Sequence, residues 1–207
     1  EWLTNPFGDI LVLPEVIAIP VTIFWIIGFT NTVNLIDGLD GLAAGVAFIA
    51  SISMFLLAVN LNQFLPALII VSMAGAALGF LQYNFNPAKI FMGDVGSTWL
   101  AFMVFALALL SVQAGWLNYA VWLVLAAVFV TDATVTLLTR MLRGERWYEA
   151  HRSHAYQRLS RRWQGGRKAG HRAVTLLVVA VNGLWLAPWA WACVQWPAGA
   201  VAFVVAA

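Results

Sequence analysis

Residues 31–44 read N-T-V-N-L-I-D-G-L-D-G-L-A-A, and they decide how the rest of the chain is read. Asn31, Asn34, Asp37 and Asp40 recur at every third position between two long apolar runs. On a helix, neighbours three apart share a face, but at ~100° per residue the full set drifts about 180° from first to last. The four cannot all point one way from a straight helix, and Gly38 and Gly41 supply a place to unwind. Unwound backbone at membrane depth implies a cavity or a ligand. Asp40 as a plain N-cap for a helix starting at Gly41 is the simpler alternative. Two Asp, two Asn and two Gly in eleven residues exceed what a cap needs.

The surrounding composition makes "membrane depth" the right phrase. Across 207 residues, 62% are hydrophobic and only 10% charged, with a mean hydropathy of +0.85. A soluble domain carries about 25% charged residues. The chain is therefore expected to be all-α, a polytopic transmembrane helix bundle forming a single integral membrane domain over residues 1–207. Val16–Ile36 carries no charge and is long enough for a hydrocarbon core of ~30 Å. Gly41–Ala88 is uncharged and too long for one crossing, and Asn60-Leu61-Asn62-Gln63 breaks it into spans near 42–59 and 65–83. Val95–Thr131 divides at Gln113–Asn118 into spans near 97–112 and 117–139, and another span lies near 173–190. That makes six full spans, with a seventh cut short after Pro197. The lone cysteine, Cys193, excludes an internal disulfide and a cysteine metal cluster.

Threading six spans places three polar islands on one face: residues 31–44, residues 84–98 and the basic loop 140–172. Lys89 lies in the second island, and the other ten Lys and Arg residues lie between Arg140 and Arg172. By the positive-inside rule that face is cytoplasmic.

The second island holds Gly93-Asp94-Val95-Gly96-Ser97-Thr98 at a helix start. Backbone N–H groups there attract anions, and glycines allow a phosphate close. Asp94 facing a phosphate requires a cation between them, which suggests Mg²⁺. Here too an ordinary N-cap at Asp94 or Ser97 is the competing reading, and Asn84, Asn86 and Pro87 read as turn formers. The third island contains His151-Arg152-Ser153-His154. Two histidines without further ligands make a poor zinc site. With Arg152 they suit a diphosphate, whereas Arg158–Lys168 reads as a topology determinant drawn to anionic headgroups. His171 is expected at the interface. Asp132, inside a span, has two roles open to it: functional, or structural with bonds to neighbouring helices.

These motifs carry a resemblance. N-x-x-N-x-x-D-G-x-D-G-L-A, then F-M-G-D-x-G-S, then a basic loop with H-x-x-H resemble the polyprenyl-phosphate N-acetylhexosamine-1-phosphate transferases (glycosyltransferase family 4). That superfamily includes enzymes starting O-antigen, enterobacterial common antigen and peptidoglycan lipid intermediates. The resemblance implies transfer of a sugar phosphate from a UDP-sugar to undecaprenyl phosphate at the bacterial inner membrane, releasing UMP, with Mg²⁺ (Mn²⁺ as an alternative). It implies Asp94 as metal ligand and as a catalytic group with Asp37, Asp40 and His154. Asn31, Asn34, Gly93, His151, Arg152 and Lys89 would bind substrate. The partners implied are a UDP-N-acetylhexosamine, polyprenyl phosphate and the bilayer, with no nucleic acid; a homodimer stays open.

W-Y-E-A-H-R-S-H-A-Y-Q is similar to the O-antigen-initiating branch more than to the peptidoglycan branch. A UDP-linked 6-deoxy-hexosamine and UDP-GlcNAc are the candidate donors. The family's upstream Asp-Asp pair is missing, so the 207 residues are expected to be the C-terminal part of a longer transferase, inactive alone. A transporter would spread polar residues through the spans, and a CDP-alcohol phosphotransferase would need further spaced Asp after Asp40. The concentration of polar residues at one edge and the gap from Asp40 to Asp94 argue against both, and a transporter with a cytoplasm-facing polar site, or a peptidoglycan-branch transferase, stays as the alternative.

Overall fold

The computed structural model describes residues 2–4, 10–12, 14–146, 154–163 and 166–207. It is a multi-pass helical membrane protein. Among the described residues, five helical stretches are long and apolar enough to cross a bilayer, and a bent pair makes a sixth. The lead-in adds a short antiparallel ladder, β1 (Trp2–Thr4) on β2 (Ile10–Val12).

The first crossing is α1 (Glu15–Ile36), with Pro20 in its early turns. It is followed by α2 (Leu42–Asn60) and α3 (Phe64–Asn84). The break between α2 and α3 falls where the Asn/Gln cluster places it, and Asn62 there adopts a left-handed φ of 58°, a conformation Asn tolerates better than most residues. Next comes α4 (Gly93–Gln113), which starts at a glycine inside the second island.

The expected span over 117–139 is two helices, α5 (Tyr119–Leu125) and α6 (Ala127–Leu142), bent by 73°. No Pro or Gly lies at the break, the usual cause of a sharp kink. Packing accounts for it instead. Asn118 caps α5, accepting from the Val121 amide at 3.1 Å and donating to the Cys193 carbonyl at 3.3 Å. Ala120, Val121 and Val124 are fully enclosed, with 0% exposure. α6 carries Thr131, Asp132, Thr134 and Thr136 and turns towards the islands.

α7 (Ala155–Arg162) and α8 (Gly166–Ala180) follow. α8 runs on through a π-helical turn at Val181–Leu186 into α9 (Ala187–Gln195), so the last crossing covers Gly170–Gln195, longer than the expected 173–190. After Pro197 the chain ends in α10 (Ala200–Ala206), too short to cross.

Among the described residues, two apolar cores hold the bundle. One gathers Met54, Leu57, Ile70, Val121, Val124 and Cys193 at the end away from the islands. The other lies under the islands and contains Val33, Ile36, Leu42, Phe129, Tyr156 and Val174. This second core joins the end of α1, the start of α2, α6, α7 and α8. It is the platform on which the polar residues stand.

The α7–α8 contact is tight. A Cβ on Gly170 would lie 2.3 Å from the backbone oxygen of Ser160, and backbone cannot swing aside as a side chain can. Gly170→Ala is expected to destabilise the protein by about 1–3 kcal/mol, read as a lower melting temperature in detergent. Gly75→Ala, where a Cβ meets nothing within 4 Å, should stay near the parent.

Candidate functional site

The first island does unwind. α1 stops at Ile36, Asp37 caps it, and α2 restarts after Gly41. Gly41 sits at φ +74°, a left-handed conformation that most side chains resist. Asn34 therefore remains on the last turn of α1, Asp37 stands at its C-terminus, and Asp40 lies in the turn. Asn31 is exposed one turn earlier.

Asp40 does not cap α2: the N-cap position is Gly41, which has no side chain to offer the first turn. Its carboxylate accepts from Asn86 Nδ2 at 3.0 Å and from the Ala88 amide at 3.2 Å. Its backbone carbonyl accepts from Thr175 Oγ1 at 2.9 Å, and His171 Nδ1 lies 3.7 Å from its other oxygen. His171 is thus not a bystander at the interface. It faces the first island, and its side chain is only 12% exposed.

Asn84 and Asn86 do more than form a turn. Asn84 Oδ1 accepts from the Gly41 amide at 3.1 Å while its Nδ2 donates to the Ile90 carbonyl at 2.9 Å. The second island is stitched to the first through both residues.

A second seam joins the islands at Asn34. Its Nδ2 donates to Asp94 Oδ1 at 3.1 Å and to Ser97 Oγ at 2.9 Å. Ser97 is buried and bonds back to the Gly93 carbonyl at 3.0 Å. Asp94 itself is exposed, as is Lys89. Burial pushes the Asp37 carboxyl up to about 6; a hydrogen bond from the Gly93 backbone opposes this and the Asp94 charge adds to it.

Asp37 and Asp94 therefore lie close enough beside the start of α4 for each to feel the other's charge. Mg²⁺ is typically bound by one or two carboxylates with the remaining positions on phosphates and water. Among the described residues no group of three or more His, Cys, Asp or Glu could hold a metal unaided. Asp37 and Asp94 fit an ion that is completed by a substrate's phosphates.

His151 and Arg152 lie outside the described residues. His154 does not stand in the open: it is 2% exposed, and its Nδ1 lies 2.9 Å from Asp132 Oδ2. Tyr156, two residues on, donates from its hydroxyl to the Leu35 carbonyl at 2.5 Å. Burial holds that phenol well above its usual range. The hydroxyl takes up one of the orphan carbonyls that every helix C-terminus leaves. Beside these groups a cavity of about 440 Å³ is lined by Ile36, Val128, Phe129 and Val174, with the exposed Arg158 and Arg162 at its edge.

The structure brings Asn34, Asp37, Gly93 and Asp94 together and leaves His154 in a separate pair. Four participants were not read as such from sequence: Asn84, Asn86, His171 and Tyr156. A buried Asn or His in a span signals that a partner exists, without saying which.

The first two islands fall within a match to a known family. The model of Glycosyl transferase family 4 matches residues 1–112. A probable undecaprenyl-phosphate N-acetylglucosaminyl 1-phosphate transferase from Bacillus subtilis is 37% identical over 144 residues, 69% of this chain and 40% of that protein. A phospho-N-acetylmuramoyl-pentapeptide-transferase from Streptococcus mutans is 42% identical over 134 residues, 65% of this chain and 38% of that protein. Another, from Staphylococcus carnosus, is 32% identical over 185 residues, 87% of this chain and 56% of that protein. The chain thus spans between 38% and 56% of the length of these relatives.

Asn84→Ala would leave the buried Gly41 amide and the Ile90 carbonyl without partners. The expected cost is about 1–3 kcal/mol for the orphaned donor. It would be measured as lost thermal stability, together with faster hydrogen exchange at residues 37–42 than elsewhere.

Proposed function

The chain belongs to glycosyl transferase family 4, and on that premise we propose that the complete protein transfers an N-acetylhexosamine 1-phosphate from a UDP-sugar to polyprenyl phosphate. The observation that carries this reading is the Asn34 carboxamide bonded to Asp94 and Ser97. It ties Asp94 of the second island to the helix end that carries Asp37 of the first, near an apolar cavity with arginines at its edge. The bond formed is between an acceptor phosphate oxygen and the phosphorus bearing the sugar. The bond broken releases UMP. In-line phosphoryl transfer needs positioning and charge neutralisation more than covalent help.

Each part of the site has a task on this reading. Asp94 and Asp37 would hold the cation, and Mg²⁺ when bound would offset the diphosphate's charge. The Gly93–Ser97 helix start offers N–H groups to phosphate. Asn34 keeps Asp94 in place. Asp40, engaged by Asn86 and Ala88, sets the shape of the turn that meets the nucleotide. The cavity beside α6 takes isoprenoid chain, with its phosphate directed to Arg158 and Arg162. The concentration of bases on the island side supports a cytoplasm-facing site, in keeping with a nucleotide-linked donor.

Donor identity divides into two readings. W-Y-E-A-H-R-S-H-A-Y-Q supports an O-antigen-type UDP-N-acetylhexosamine. The names of the Streptococcus and Staphylococcus relatives support a UDP-N-acetylmuramoyl-pentapeptide instead. The test is UMP release by the complete protein in detergent with undecaprenyl phosphate and Mg²⁺. The donors are UDP-GlcNAc, a UDP-6-deoxy-hexosamine and the muramoyl-pentapeptide. Release with one donor is expected, falling by at least about 100-fold in Asp94→Asn. A folded protein that neither releases UMP nor binds any of the donors would refute the transferase reading.

A further inference from the structure

α6 carries a row of polar side chains that the site above does not use. Asp132, Thr136, Thr139 and Arg143 follow one another at spacings of three and four, so they share a face of the helix. With Thr131 and Arg140 they line a second cavity, of about 470 Å³, closed on its far side by Val181 and Leu186 of the last crossing. It meets the cavity beneath the islands at Val128, Asp132, Ala155 and Arg158, which touch both.

The hydroxyls in this row are unusual for the molecule. Elsewhere in the spans such groups bond back to their own helix: Thr32 to the Gly28 carbonyl, Ser53 to Ile49 and Ser72 to Leu68, each at 2.8 Å. That is the ordinary recourse of Ser and Thr in an apolar helix. Among the described residues, Thr131, Thr136 and Thr139 make no hydrogen bond at all, although Thr136 is buried. A buried hydroxyl without a partner is costly unless something in the cavity answers it.

The charges are also unbalanced. Asp132 is fully engaged by His154 Nδ1 and the Ala155 amide. Arg140 is engaged as well, 3.1 Å from the Glu145 carboxylate and bonded to the Arg146 carbonyl at 2.8 Å. The guanidinium groups of Arg143 and Arg158 have no partner among the described residues. The lining is therefore apolar near the bend, at Ala127 and Val128, hydroxylated along the middle of α6 and cationic at its end.

We propose that this cavity binds an anionic glycerophospholipid of the surrounding bilayer. Its phosphate sits at Arg143, with Arg140 and Arg158 adding positive charge on either side. Its ester carbonyls accept from the α6 threonines, and its chains leave past Val128 and Leu186.

The three-layered lining chooses this ligand among phosphate carriers. Free phosphate makes no use of the apolar wall. An isoprenoid phosphate passes directly from phosphate to hydrocarbon and offers the hydroxyls no acceptor. A glycerophospholipid carries two ester carbonyls between phosphate and chains. A zwitterionic headgroup brings its own cation, which unpaired arginines disfavour, whereas basic pockets between helices suit anionic headgroups. This lipid is separate from the proposed acceptor, and testing for it needs no turnover.

The test titrates the complete protein in detergent with phosphatidylglycerol and counts bound lipid by native mass spectrometry. Phosphatidylglycerol is expected to bind at least about 5-fold more tightly than phosphatidylcholine with the same chains. Arg143→Gln should weaken it about 5-fold. Arg172→Gln, which removes an exposed arginine outside the cavity, should leave it unchanged. Thr136→Val with Thr139→Val should weaken the ester-linked lipid by about 2- to 10-fold. An ether-linked phosphatidylglycerol, which lacks the carbonyls, should bind the parent and that variant alike.

Equal binding of phosphatidylglycerol and phosphatidylcholine by the parent would overturn the proposal, and that comparison needs no variant to fold. Equal losses in Arg143→Gln and Arg172→Gln would do so too, since they would show a general attraction of lipid to the basic face. Displacement of the lipid by equimolar undecaprenyl phosphate or inorganic phosphate would give the cavity to another ligand and count against it equally.

Discussion

A buried turn next to hydrocarbon must find a partner for every backbone and side-chain polar group it carries, and the reversal at residues 37–41 is where this protein meets that constraint. Asp40 answers most of it. Its carboxylate takes the Asn86 side chain and the Ala88 amide, its carbonyl takes Thr175, and His171 stands beside it. Asn84 answers for the Gly41 amide. A turn between the first two helices thereby fixes the α3–α4 connection and the start of the last crossing. Satisfying that turn and assembling the site are the same structural event.

The polar seam is also an electrostatic problem that the protein leaves open. Asp37 and Asp94 repel one another, and burial already disfavours charge on Asp37. The Gly93 backbone and the Asn34 carboxamide soften this without cancelling it. On the proposed function, a hard cation with a phosphate on its far side would complement this arrangement. The nearby apolar cavity and its arginines give the other half of an amphiphilic ligand a place. Both features accord with the proposed chemistry between a water-soluble nucleotide and a lipid.

Much of the fold was legible because hydropathy acts over the length of a span. Val16–Ile36 and the Asn60–Gln63 break fall within a residue or two of the helices observed. The unwinding at Gly38–Gly41 followed from the drift of a three-residue repeat around a helix. The bend at Ala126 was not legible, because no Pro or Gly marks it and its cause lies in how α5 is enclosed by α9 and α10. The partnerships of Asn84, Asn86, His171 and Asp132 were hidden for a related reason. Asp132 and His154 are 22 residues apart, and Asp40 and Thr175 are 135 apart. Composition can say that such groups need partners, but only packing says which ones meet.

The most direct test is Mn²⁺ bound in place of Mg²⁺ to the complete protein with UDP-sugar, observed by electron paramagnetic resonance. The account predicts one bound ion with a ³¹P hyperfine coupling from the donor, weakened by at least about tenfold in affinity in Asp94→Asn and in Asp37→Asn. Unchanged Mn²⁺ affinity in both variants, or an ion without phosphorus coupling, would contradict it.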